Sequence, residues 1–127
     1  MPNKRTVQTA GAPGAIGPYS QGIAAGGFLF ISGQVPLDPV SGQAVGEGIE
    51  QQVERVLENL KAILAAGGAD LRSVVKTTVY LTDLKDFPRM NEVYSRYFVA
   101  EPPARATVQV AALPRGARVE IDAIAVL

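Results

Sequence analysis

Residues 49 to 64 constrain the fold more than any other stretch of this 127-residue chain. Ile49, Val53, Val56, Leu57, Leu60, Ile63 and Leu64 recur at steps of three or four, or beside such a step, and form one stripe on a helix. Glu50, Glu54, Glu58 and Lys61 take the opposite, solvated face, and Gly67-Gly68 ends the run. A second helix is predicted from about Asp86, its cap, to about Val99, with Pro88 in the first turn. Its stripe is Phe87, Met90, Val93, Tyr94, Tyr97 and Phe98, and Pro102-Pro103 bars continuation.

The remaining apolar runs read as strands. Ser20 to Ala24 and Phe28 to Ser32 flank Gly26-Gly27 as a hairpin. Val74 to Thr82 is β-branched and lies between the helices, and Ala104 to Ala111 and Arg118 to Leu127 are joined by Leu113-Pro114-Arg115-Gly116. Thr6 to Thr9 adds a short edge strand. The order β-β-β-α-β-α-β-β predicts one α+β domain over residues 1–127, a mixed sheet with both helices on one face. On the last two strands Arg105, Thr107 and Gln109 alternate with Ala106, Val108 and Val110, and Arg118, Glu120 and Asp122 with Val119, Ile121 and Ala123. The apolar sets are expected to meet the helices. The polar sets, carrying Arg105 and Glu120, are then left for water or another subunit, and the Ile124 and Val126 that follow on that face favour a subunit.

Composition removes whole classes of chemistry. The chain has no His, Cys or Trp, so it can build neither a Ser-His-Asp triad, a thiol nucleophile nor a Cys/His zinc site. Twelve Lys and Arg balance twelve Asp and Glu, and only four Tyr and four Phe are present. Zero net charge with so few aromatics argues against a dedicated nucleic-acid binder. The amino terminus lacks the apolar core of a signal peptide and no run approaches a membrane span, so a cytoplasmic location is expected. No glycine pattern matches a phosphate loop, and no Asp/Glu spacing matches a calcium loop, so neither metal nor cofactor is expected.

The residues left to carry chemistry have two readings each. Tyr19, in Gly17-Pro18-Tyr19-Ser20-Gln21, is an aromatic of a half-buried sheet or a ligand contact. Ser32-Gly33-Gln34 ends a strand, where Gly33 permits a turn, a bulge or a close approach to a ligand. Arg105 and Glu120 form either a cross-strand ion pair contributing about 0.2–1 kcal/mol, or a guanidinium fork for a small carboxylate with a carboxylate managing water. Asn91 is on the polar side of the second helix.

Taken together, GPYSQ, ISGQ, KTTVYLTDL (Lys76 to Leu84) and PARATVQVAALPRGARVEIDAIAV (Pro103 to Val126) resemble the reactive intermediate deaminases, most closely the RidA branch of YjgF-type proteins. The resemblance runs over nearly the whole chain in order and spacing. It implies a chorismate-mutase-like fold, a homotrimer with inward-facing sheets and intersubunit sites, and hydrolysis of 2-imino acids such as 2-iminopropanoate to 2-oxo acids and ammonia. Residue by residue, Arg105 matches the substrate-carboxylate binder, Glu120 the carboxylate that positions water, and Tyr19 the pocket tyrosine. Ser32, Gly33 and Asn91 match positions lining the cleft, and Thr107 stands where many bacterial members have Cys. The implied partners are small 2-imino acids and further copies of the chain, without membrane or specific nucleic acid. A ribonuclease or translation inhibitor, and a non-catalytic ligand-binding trimer, are the alternatives.

Overall fold

The computed structural model describes residues 2–127. Six strands form one sheet: β1 (Lys4–Val7), β2 (Gly22–Ala25), β3 (Phe28–Gln34), β4 (Val74–Leu81), β5 (Ala104–Gln109) and β6 (Val119–Val126). Two helices, α1 (Ile49–Ala66) and α2 (Phe87–Tyr97), pack on one face of it. The spatial order is β1-β2-β3-β6-β4-β5, with β4 and β5 parallel and the other pairs antiparallel. The expected element order and mixed sheet are therefore observed. β1 begins two residues before the predicted edge strand, and β5 ends at Gln109 rather than Ala111.

Local chemistry accounts for the elements. Gly26 and Gly27 take φ of 59° and 82°, the left-handed pair that a two-residue hairpin between twisted strands requires. The α1 stripe is wholly buried against Leu29, Ile31, Ile121 and Ala123, and against Met90 and Val93 of α2. Each such aliphatic side chain contributes about 1.5–3 kcal/mol on burial. Two polar residues share the buried face of α1. Asn59 Nδ2 donates to the carbonyls of Val35 and Leu37 at 3.3 and 3.1 Å, tying the connection after β3 to the helix.

Asp86 precedes α2 as expected, yet its side chain does not cap the helix. The carboxylate instead accepts both Arg118 Nη2 bonds, at 2.7 and 2.9 Å. Arg118 Nη1 also donates to the Glu47 carbonyl, and its backbone N–H donates to Gln52 Oε1, both at 2.9 Å. This one residue clasps the starts of α1, α2 and β6. Arg118→Ala leaves the Asp86 carboxylate, only 12% exposed, without its cation. The expected loss is about 2 kcal/mol, read as a lower urea midpoint at matched chain concentration, with Arg118→Lys recovering less than half because the fork is gone.

One prediction fails in an informative way. Ala106 and Val108 do not meet the helices; Arg105 and Thr107 do. The register pairs Arg105 with Thr77 and Thr107 with Val79, both fully buried on the helix side, whereas Ala106 and Val108 pair with Thr78 and Tyr80 on the open side. Nor are Arg105 and Glu120 on adjoining strands, since β4 runs between β5 and β6. Glu120 pairs with Tyr80 and belongs to the open face. The ion-pair reading is thereby excluded within one chain.

Candidate active site

Glu120 sits in the middle of the sheet, on β6, beside an irregularity in β3. Ile31 pairs with Ala123 and Gln34 with Ile121, so Ser32 and Gly33 together oppose one residue, Asp122. This bulge brings the Gly33 backbone against the Glu120 side chain. A Cβ at position 33 would lie 2.8 Å from the Glu120 carboxyl carbon and closer still to Oε2. The close approach explains why this position is glycine, a choice that sequence alone left open between turn, bulge and ligand contact.

The Glu120 carboxyl is half-buried and makes no hydrogen bond among the described residues. Burial pushes its pKa above the ordinary carboxylate value, and the negative Asp122 two residues along the same face adds to the rise. Asp122 is itself engaged, accepting a bond from Tyr80 Oη at 3.0 Å. A carboxyl of raised pKa that faces a cavity is better suited than an ordinary one to taking and returning a proton.

That cavity, about 420 Å³, is bounded by Tyr19, Gly33, Gln34, Pro114, Arg115 and Glu120 among others. Tyr19 is 52% exposed on the loop before β2 rather than in a sheet. Its Oη accepts from the Ile16 N–H at 3.4 Å. Gln21 holds this loop: its Oε1 accepts from Thr9 N–H at 2.7 Å, and its Nε2 donates to the carbonyls of Thr9, Ala12 and Pro13 at 3.1, 3.3 and 2.8 Å. The Ser32 hydroxyl donates to the Ser20 carbonyl at 2.6 Å, so it anchors the Tyr19 loop from the bulge side and does not itself line the cavity.

Arg105 lines a different cavity, also about 420 Å³, with Asn91, Tyr94, Ser95, Phe98 and Pro103. Its guanidinium carbon lies 4.8 Å from the Tyr94 ring centre and 5.4 Å from that of Phe87. Stacking on two rings holds the fork in one orientation and offsets its desolvation. Arg105 takes part in no ion pair among the described residues, so no carboxylate of its own chain competes for the guanidinium. Tyr94 is steadied in turn by a 2.7 Å bond between its hydroxyl and that of Thr77.

The candidate residues thus separate into two groups. Tyr19, Gly33 and Glu120 converge on one cavity, and Arg105 and Asn91 on the other, at an edge strand. Thr107 lines neither: its Oγ1 is buried with no hydrogen-bond partner among the described residues. Thr107→Val removes that unmet hydroxyl at nearly constant volume, and a gain of about 1 kcal/mol is expected on urea unfolding. Arg115, which the sequence places only in a turn, also lines the Glu120 cavity. A basic residue in the turn feeding the Glu120 strand was the available signal. Among the described residues no group of three Asp or Glu side chains is placed to hold a metal ion, and no helix is long and apolar enough to cross a membrane.

A family model described as Endoribonuclease L-PSP matches residues 9–127. The chain is 58% identical over 125 residues to Protein DfrA of Myxococcus xanthus, covering 97% of this chain and 95% of that one. It is 50% identical over 123 residues to the human 2-iminobutanoate/2-iminopropanoate deaminase, covering 97% and 90%. The crystal structure of RidA from the Antarctic bacterium Psychrobacter sp. superposes with a TM-score of 0.93 at 48% identity, covering 97% and 99%. With its fold and nearly its whole length shared in this way, the chain belongs to the Endoribonuclease L-PSP family, the YjgF/RidA proteins.

Proposed function

We propose that this protein is an imine deaminase that hydrolyses small 2-imino acids, such as 2-iminopropanoate and 2-iminobutanoate, to 2-oxo acids and ammonia. The observation that carries the reading is the cavity at the bulge. It presents a half-buried carboxyl of raised pKa, unpaired among the described residues, with open space in front of it. The human relative named for this reaction, half identical over nearly all of this chain, supports the substrate class.

The site works between copies of the chain. Arg105 and Glu120 face opposite sides of one sheet, so one chain cannot bring both to a small substrate. The open sheet face carries Phe28, Phe30, Val108 and Val126, each 41–44% exposed, along with Ile124. An apolar face of this extent calls for a covering partner. A homotrimer whose sheets face inward covers it and lets the edge strand of one copy deliver Arg105 to the Glu120 cavity of the next.

In that assembly Arg105 grips the substrate carboxylate through paired N–H donors and fixes the plane of the imine. Water held beside Glu120 attacks the imine carbon. Its proton passes to the carboxylate as the C–O bond forms, while the C=N π pair settles on nitrogen, which then takes the proton. In the resulting carbinolamine Glu120 carries the hydroxyl proton to the nitrogen, and as the oxygen pair closes to the carbonyl of the 2-oxo acid the C–N bond breaks and ammonia departs. Tyr19 closes the cavity wall, Ser32 anchors its loop, and Asn91 extends the polar lining near Arg105.

The test is imine consumption. With an amino acid oxidase generating 2-iminopropanoate and semicarbazide as trap, the protein should divert imine to 2-oxo acid and ammonia in proportion to its concentration; an unchanged trapping rate overturns the reading. Gly33→Ala sharpens it. The added methyl must displace the Glu120 carboxyl, and a shift approaching 1 Å is expected to lower kcat/KM about 10²-fold, with the far-ultraviolet spectrum unchanged.

A further inference from the structure

Arg115 shares the cavity wall with Glu120 and Gly33, and nothing in the reaction above uses it. Its backbone is left-handed, at φ 61° and ψ 25°, directly before Gly116 at φ 67°. For an L-residue that conformation is unfavourable, and here it sets the direction in which the side chain leaves the turn. One 3.3 Å bond from Nη2 to the Gly42 carbonyl ties the guanidinium to the neighbouring loop. No carboxylate pairs with it among the described residues, so most of its donors are unused. No ion pair joins this cation to the Glu120 carboxyl among the described residues, and both groups line the same cavity.

We infer that Arg115 is a specificity-determining residue which admits 2-imino acids carrying a second carboxylate on the side chain. The inference rests on the imine-deaminase reading above and names a substrate class for that site. With Arg105 of a neighbouring copy holding the α-carboxylate and Glu120 fixing the imine carbon, the substrate side chain projects along the remaining wall. Among the described residues Arg115 is the one cation in this lining and Glu120 the one carboxylate, so without Arg115 a second carboxylate would meet no positive charge on the wall. A cavity of about 420 Å³ has room for a five-carbon dicarboxylic substrate.

The experiment compares kcat/KM for the imines made by oxidases from glutamate and from alanine, in wild type, Arg115→Ala, Arg115→Lys and Arg115→Glu. Wild type should process the acidic imine within about tenfold of the small one. The acidic-to-small ratio should fall about tenfold in Arg115→Ala and about a hundredfold in Arg115→Glu, and hold largely in Arg115→Lys. Arg115 lies on an exposed turn, so these variants should fold. A ratio unaltered in both Ala and Glu variants overturns the inference, as does a wild type that accelerates only the small imine. A wild type that accelerates neither overturns the deaminase reading itself.

Discussion

Glu120→Gln is expected to lower kcat for 2-iminopropanoate hydrolysis by about 10²- to 10⁴-fold, the usual contribution of a positioned acid-base group. The amide keeps the shape of the side chain beside Gly33 but can neither take nor return a proton. Wild-type kcat/KM should rise with pH as Glu120 ionises, and that limb should lie above the range of a free carboxylate, because burial and then Asp122 raise the pKa. In Glu120→Gln the limb should vanish. Stability should move the other way. A carboxyl whose folded pKa is raised ionises at a cost to the native state, so the native advantage is present below the unfolded pKa and lost as pH rises through the folded one. Glu120→Gln should therefore raise the urea midpoint at neutral pH, with the difference shrinking as pH falls. An active, stabilised Gln variant would leave the carboxyl without a chemical role.

Arg105→Ala is expected to cut kcat/KM about 10- to 150-fold, the range for losing hydrogen bonds to a charged partner. Most of the loss should appear in KM, since the carboxylate is held in ground and transition states alike. Arg105→Lys should recover little, because a point charge neither forks around a carboxylate nor spreads its charge over the rings of Tyr94 and Phe87. A neutral imine lacking the carboxylate should be hydrolysed equally by wild type and Arg105→Ala. Equal losses on both substrates would show that Arg105 supports the fold and not the ligand.

The helices and the hairpin were legible because their signals are local. Seven apolar residues at helical spacing and a Gly-Gly turn leave one arrangement open to each segment. The facing of β5 was not legible. Alternation identifies two faces of a strand, and the usual assumption gives the apolar one to the core. Here Ala106 and Val108 face the open side, while Arg105 lays its charge across aromatic rings of α2. An edge strand that turns its charged side to the helices and its apolar side to the open face reverses the ordinary pattern. The bulge at Ser32-Gly33 and the Asp86-Arg118 clasp were hidden for a different reason, since each depends on strands or helices far apart in sequence. The candidate residues stand out in the strand and turn pattern, and the resemblance supplies their roles. Their division between two faces required the register.

That division is the central claim, and mixing two impaired variants tests it most directly. Arg105→Ala and Glu120→Gln chains, each well below wild type in kcat/KM when alone, are to be unfolded together in equal amounts and refolded, with imine hydrolysis measured at substrate well below KM before and after. If each site takes Arg105 from one copy and Glu120 from the next, random cyclic trimers carry an intact pair at about a quarter of their interfaces. Activity should then return to about a quarter of the wild-type value per chain. Activity that stays at the level of the separate variants, in trimers shown to contain both chains, would contradict a site shared between copies.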